Sequence, residues 1–182
     1  GSEMCIRDRD KDTSGLMLIA KNLKAHTILT ELIQVKKIQR HYYALVHGVP
    51  ISGQTIDLPI GRHNKNRLLY CVKDGGREAT THFRIKKKFK NFSLLDIELE
   101  TGRTHQIRVH LKHIGHPIAG DKSYNKIKAW KDAIPGELEA INKLQRQALH
   151  SYSLKFHFLN EDFVFESKLP NDIEKTLEEL EE

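Results

Sequence analysis

Between Phe92 and Ile114 the chain changes its period, and that change limits the folds open to it. Apolar residues alternate from Phe92 to Glu100, the periodicity of a half-buried strand. Gly102 follows, and Ile107, Val109, Leu111 and Ile114 then supply the apolar contacts of a helix predicted over 104–114. Gly115-His116-Pro117 stops that helix. A second alternating segment, Ala79 to Lys87, comes before the first and suits an antiparallel partner for it. Strands joined by hairpins, with helices inserted, indicate an α+β fold: a mainly antiparallel mixed sheet with flanking helices. The βαβαβ order of a Rossmann or P-loop fold is absent, as are GxGxxG and GxxxxGK followed by Ser or Thr. ATP- or dinucleotide-dependent chemistry is therefore disfavoured, and no cofactor is expected.

The remaining segments extend this pattern. Leu16 to Lys21 is an apolar run bounded by Gly15 and reads as a buried strand. Asn22 can cap a helix whose apolar positions are Leu23, Ala25, Ile28, Leu29, Leu32, Ile33 and Ile38. Residues 41–47 return to strand, ended by Gly48-Val49-Pro50, and Ile56 to Ile60 holds Pro59 and reads as an edge segment. Arg67 to Val72 is a further predicted strand, followed by a turn at Asp74-Gly75-Gly76. A helix is predicted over Pro135 to Gln147. A last hairpin joins Leu149–Phe158 to Glu161–Leu169 across Asn160-Glu161-Asp162, and a terminal helix spans Asp172–Glu182.

A chain of 182 residues has room for one domain with a sizeable core. No apolar run reaches the roughly 18–20 residues needed to span a bilayer, and Cys5 and Cys71 make neither a disulfide framework nor a zinc site. Two thiols fit a reducing cytoplasm. The net charge of +6 is unevenly spread. Acidic residues gather between Glu174 and Glu182, while Lys86-Lys87-Lys88 with Lys90, and Arg103 to Lys112, form basic clusters. That distribution favours nucleic acid as a partner over a merely solubilising surface.

Several residue groups can carry chemistry. Asp10-Lys11-Asp12-Thr13-Ser14-Gly15 is either an Asx/Ser turn or the source of a cleft carboxylate. In Arg40 to Val46, alternation separates Tyr42, Ala44 and Val46 from His41, Tyr43 and Leu45. Tyr42 is then either a core tyrosine or a pocket-lining ring able to stack on a base. Arg103, Thr104, His105 and Gln106 supply donors that suit phosphate and sugar oxygens. Arg108 lies inside the predicted helix, where a buried arginine needs a carboxylate partner. None lies within helical reach on its C-terminal side, and Asp10 is a candidate on charge alone. His105, His110, His113 and His116 offer nitrogen ligands only, without an HExxH pattern, so no metal site is expected.

At these residues the chain resembles the RluA-type pseudouridine synthases. The family's Asp-x-x-Thr-Ser-Gly is matched by Asp10, Thr13, Ser14 and Gly15, and its basic-x-Tyr-x-Ala-x-Val-x-Gly by Arg40, Tyr42, Ala44, Val46 and Gly48. Gly-Arg-Thr-His-Gln-Ile-Arg-Val-His is whole from Gly102 to His110. His116-Pro117, Gly120-Asp121-x-x-Tyr124 and Arg146-Gln147-Ala148-Leu149-His150 follow in the family's order. The likeness covers about residues 10–170 and is greatest to the RluD-like branch that modifies large-subunit ribosomal RNA.

The resemblance implies isomerisation of uridine to pseudouridine without a cofactor. Asp10 would be the catalytic carboxylate, Tyr42 would pack on the flipped uracil, and Arg108 would face Asp10 with a forked contact. Arg103, Thr104, His105, Gln106, Lys86, Lys87, Lys88 and Lys90 would meet RNA. A monomer in the cytoplasm is expected. Where the family places His-Arg-Leu before the aspartate, Arg7-Asp8-Arg9 stands here. Residues 1–9 are therefore expected to be a foreign leader, and residues 10–182 a catalytic domain incomplete at its N-terminus, with an exposed sheet edge. The alternatives are a non-catalytic RNA-binding fragment and a transfer-RNA synthase of the same family.

Overall fold

The computed structural model describes residues 10–125 and 134–181, so the expected leader at residues 1–9 lies outside the described residues. The elements run β1 (Ser14–Gly15), α1 (Leu23–Gln34), β2 (Gln39–His47), β3 (Gln54–Asp57), β4 (Ile60–Arg62), β5 (Tyr70–Val72), β6 (Thr80–Lys88), β7 (Phe92–Leu99), α2 (Gln106–His113), α3 (Pro135–Asn142), β8 (Leu149–Phe158), β9 (Glu161–Glu166) and α4 (Asn171–Glu179). The main sheet has the order β1-β8-β2-β7-β6-β3, with β9 also pairing β8, and β4-β5 form a separate ribbon. Every pairing is antiparallel except β1 with β8, where Ser14 lies opposite His150 and Gly15 opposite Ser151. The fold is α+β with a mainly antiparallel mixed sheet, as the alternation predicts.

Central strands β2 and β7 carry the core. Ala44, Leu45, Val46, Phe92, Leu95 and Ile97 have no exposed surface, and side chains of α2, α3 and α4 (Ile107, Leu111, Ile141, Ile173, Leu177) pack onto them. Full burial of a side chain the size of Leu or Phe contributes roughly 1.5–3 kcal/mol. Helix α1 makes a second cluster, with Leu29, Ile38, Phe156 and Phe158. It begins where Asn22 Oδ1 accepts the Ala25 N–H at 2.8 Å, as the capping pattern predicts.

Several boundaries differ from the sequence reading. Leu16–Lys21 is not a strand. The Leu16 N–H still reaches Ser151 O at 2.9 Å, but from Ser153 onward the edge of β8 is taken by β9. The chain therefore leaves the ladder, exposing Met17 and Ile19 and turning Leu18 and Ala20 toward α1. Only Tyr70–Val72 of the predicted 67–72 strand pairs. Ahead of it, the His63 and Asn66 side chains accept from Lys65, Asn66 and Leu68 backbone N–H groups and hold a turn. Helix α3 stops at Asn142, because Ala148 pairs with Ala119 to lead into β8. The last hairpin turns on Leu159-Asn160, both left-handed (φ 49 and 66), and Glu161 already pairs with Phe158. Among the described residues no helix is long and apolar enough to cross a membrane.

Candidate active site

The site forms where β2 and β6 begin and β7 hands over to α2. Asp10 opens a turn closed by the Thr13 N–H on Asp10 O at 3.2 Å. That turn is fastened to the far end of the sequence. Gln147 Nε2 donates to Lys11 O (2.8 Å) and to Thr13 Oγ1 (3.2 Å), and Arg146 Nη1 donates to Asp12 O (3.2 Å). Gly15 completes the fastening with φ +94; a Cβ there would lie 2.1 Å from Ser151 O, so only glycine fits.

Helix α2 supplies the opposite wall. Arg108 Nη1 reaches Asp10 Oδ2 at 3.4 Å, and the His105 N–H reaches Asp10 Oδ1 at 3.3 Å. The forked contact expected on Asp10 goes elsewhere: Arg108 Nε and Nη2 donate to the two oxygens of Asp121 at 2.7 and 2.9 Å. Backbone N–H groups of Ser123 and Tyr124 also donate to Asp121, and the Tyr124 ring lies under the guanidinium at 4.8 Å. Burial opposes the Arg108 charge, but the hydrogen bonds and charge of Asp121, with that of Asp10, outweigh it and hold its pKa above the ordinary value. Arg108 is thus anchored by one carboxylate and extends a single N–H to the other. Sequence reasoning missed Asp121 because it lies beyond helical reach; its only signal was the Gly-Asp-x-x-Tyr motif.

Tyr42 faces Asp10. Both line a cavity of about 30 Å³ with Thr13, Leu99, Gly102, Arg103 and Gln106, while Tyr43 stacks on Tyr152 at 3.8 Å on the other face of β2. Beside the cavity, His105 caps α2 in the left-handed conformation (φ 58), which starts the helix at Gln106 rather than Thr104. Tyr124 Oη accepts the Tyr70 N–H (2.9 Å) and lies 2.7 Å from His105 Nδ1. Burial pushes the Tyr124 phenol up to about 12, so it stays protonated beside Nδ1. Burial also lowers the His105 pKa against the pull of Asp10.

The other expected RNA contacts are placed differently from one another. Thr104 is exposed. Arg103 donates through Nε to Glu78 O at 2.7 Å and lines a groove of about 430 Å³ with Arg62, Lys73 and Arg77. Gln106, 3% exposed, accepts from Thr101 Oγ1 and the Arg103 N–H and donates to Thr80 O and Thr81 Oγ1. It holds the turn beneath Arg103 and presents no free group. The lysines lie at the opposite end of β6. Lys86 sits over the Tyr43 ring at 4.8 Å, Lys87 pairs with Glu181, and Lys88 and Lys90 line a groove shared with Glu137, Glu139 and Glu179. The histidines do not converge. His110 is bonded to Thr81 Oγ1 and Leu58 O, His116 to His47 O, and the described residues hold no group arranged for a metal.

Comparison with known proteins identifies relatives of this chain. The sequence model described as RNA pseudouridylate synthase matches residues 6–113. Ribosomal large subunit pseudouridine synthase D of Xanthomonas campestris is 41% identical over 95% of this chain and 53% of its own length. The Vibrio cholerae protein of the same name is 42% identical over 92% of this chain and 53% of its own length. The chain spans about half the length of the curated relatives it matches. Among solved structures, human RNA Pseudouridylate Synthase Domain Containing 4 superposes with a TM-score of 0.76 at 24% identity, covering 95% of this chain and 74% of that one. Human RNA Pseudouridylate Synthase Domain Containing 1 gives 0.66 at 23% identity, covering 82% and 62%. A family match across more than half of the sequence, on a fold shared with both human domains, means that this chain belongs to the RNA pseudouridylate synthase family.

Proposed function

We propose that this chain carries the catalytic part of a pseudouridine synthase acting on large-subunit ribosomal RNA, working as a monomer in the cytoplasm. The observation that carries the reading is that Asp10 lines one cavity with Tyr42 and is also reached by Arg108, 98 positions later in the chain. The names of the curated relatives support the choice of RNA.

The reaction breaks the N1–C1′ bond of uridine, turns the uracil, and forms a C5–C1′ bond. The C5 proton leaves and N1 gains one, so composition is unchanged and neither oxidant nor energy source is needed. Asp10 is the carboxylate at the reacting centre, held by Arg108 and the His105 N–H. Tyr42 offers its ring to the uracil. A cavity of about 30 Å³ holds a water or two but not a nucleobase, so the base enters at the open mouth beside Gly102 and Arg103. Extruding it from a stack costs roughly a few kcal/mol, which phosphate contacts along the Arg103 groove offset.

Release of tritium from large-subunit ribosomal RNA carrying [5-³H]uridine measures the C5 step directly. Asp10→Asn is expected to abolish release while RNA affinity stays within a few-fold. Turnover near the parent rate in that variant would remove Asp10 from the reaction. RNA binding without release by the parent would favour a non-catalytic module.

A further inference from the structure

Arg40 begins the inward-facing row of β2, two residues before Tyr42, and is 2% exposed. Its charge is not balanced as those of Arg84, Arg108 and Arg146 are. Arg108 pairs with Asp121 and Asp10, Arg146 with Asp172, and Arg84 with Asp96. Among the described residues Arg40 has no carboxylate within ion-pair distance, and its Nε is buried without a hydrogen-bond partner. A buried guanidinium left in that condition is costly and is retained where a ligand completes it.

The side chain has a direction. Its Nη1 lies 2.6 Å from where a Cβ on residue 102 would stand, and Nη2 lies 3.5 Å from it. Gly102 is exposed and lines both the Asp10–Tyr42 cavity and the Arg103–Arg77 groove. With glycine at this position, no side chain of residue 102 stands between the guanidinium and the mouth of the cavity. Arg103 stands next to it, and Arg40 and Arg77 add to the burial that lowers the Arg103 pKa. Three guanidinium groups with only the charge of Glu78 set against them suit a ligand that brings its own negative charge and several acceptor oxygens.

We infer that Arg40 and Arg103 form a phosphodiester-binding site around Gly102, taking an RNA phosphate next to the nucleotide that is isomerised. The inference rests on the function proposed above and adds to it a contact that fixes the strand where the base leaves it. Arg40 is a positioning residue here: it acts through the backbone of the substrate and does not touch the reacting atoms.

Salt-dependent binding of short oligouridylate, with thermal melting of each free protein, tests the site. Arg40→Gln is expected to bind more weakly, with the log–log salt slope reduced by about 0.7, the value for one phosphate on a single strand. Its melting temperature should equal or exceed that of the parent, because an uncompensated charge has been removed. Arg40→Lys should restore the slope but not the full affinity. Gly102→Ala should weaken binding by pushing the guanidinium aside. An unchanged slope in Arg40→Gln would overturn the site. So would a lowered melting temperature in Arg40→Gln together with full affinity in Gly102→Ala, since that pattern is structural. If inorganic phosphate raised the melting temperature of the parent alone while oligouridylate slopes stayed equal, the site would serve a free anion and the RNA assignment would fail. Should the parent release no tritium while the slope difference persists, the proposed reaction fails and the phosphate site stands.

Discussion

Asp121 accepts hydrogen bonds from Arg108 Nε, Arg108 Nη2, Ser123 N and Tyr124 N, and its side chain is 1% exposed. Its replacement by alanine leaves a guanidinium that is itself 7% exposed with the longer Asp10 contact alone, a loss of up to about 3–5 kcal/mol of stability. Urea denaturation of Asp121→Ala checks this, and activity should fall with it because Arg108 no longer has a fixed position. Motif spelling made Asp10, Tyr42 and Arg108 legible as candidates; in the structure Arg108 contacts Asp10, and Asp10 lines a cavity with Tyr42. Asp121 was hidden because its pairing crosses the end of a helix and a turn, which no periodicity reports. Gln106 misled for a related reason. An amide beside two arginines looks available until Thr80 and Thr81, far back in the chain, are seen to occupy it. A second residue sets acid tolerance. Burial, reinforced by His116, lowers the His47 pKa from 6.5 to about 3. Its folded value lies below its unfolded one, so the unfolded chain takes up the proton first. Stability is intact above about pH 6.5 and is lost as pH falls toward 3. Denaturation midpoints at pH 7.5 and 5 should differ by on the order of 1–2 kcal/mol more in the parent than in His47→Gln.

Strand β1 is two residues long, yet it fixes the position of the Asp10 turn. Gly15→Ala puts a Cβ 2.1 Å from Ser151 O at a φ of +94; strain of this kind costs on the order of 1–3 kcal/mol for the backbone conformation, before the clash is counted. The variant is expected to lower both the melting temperature and tritium release. Gln147→Ala gives a milder result: loss of its bonds to Lys11 O and Thr13 Oγ1 should cost about 1–3 kcal/mol and reduce turnover more than RNA affinity. Local pattern located α1, β2, β6, β7 and β8 because each repeats its period long enough to be read. It failed at Leu16–Lys21, where hydrophobicity signals burial without naming the partner. That run packs on α1 because β9 already occupies the ladder edge.

Across the molecule, two basic regions face different places. Thr80, beside the candidate site, and Lys88 stand eight residues apart on β6, roughly 25 Å along an extended strand. Alanine at both Lys88 and Lys90 should therefore leave affinity for short oligouridylate unchanged and weaken binding to long ribosomal RNA fragments, with a shallower salt slope on the latter alone. Equal losses on both lengths would place these lysines in the path of the reacting strand. Charge clustering in the sequence showed that the chain is basic but not that β6 divides its cations between opposite ends, because that depends on where the strand lies. The parallel pairing of Ser14–Gly15 with His150–Ser151 has a consequence for synthesis. A nascent chain carries the Asp10 turn without its β8 partner until Ser151 has been made, so the candidate site is completed long after Asp10 itself is synthesised.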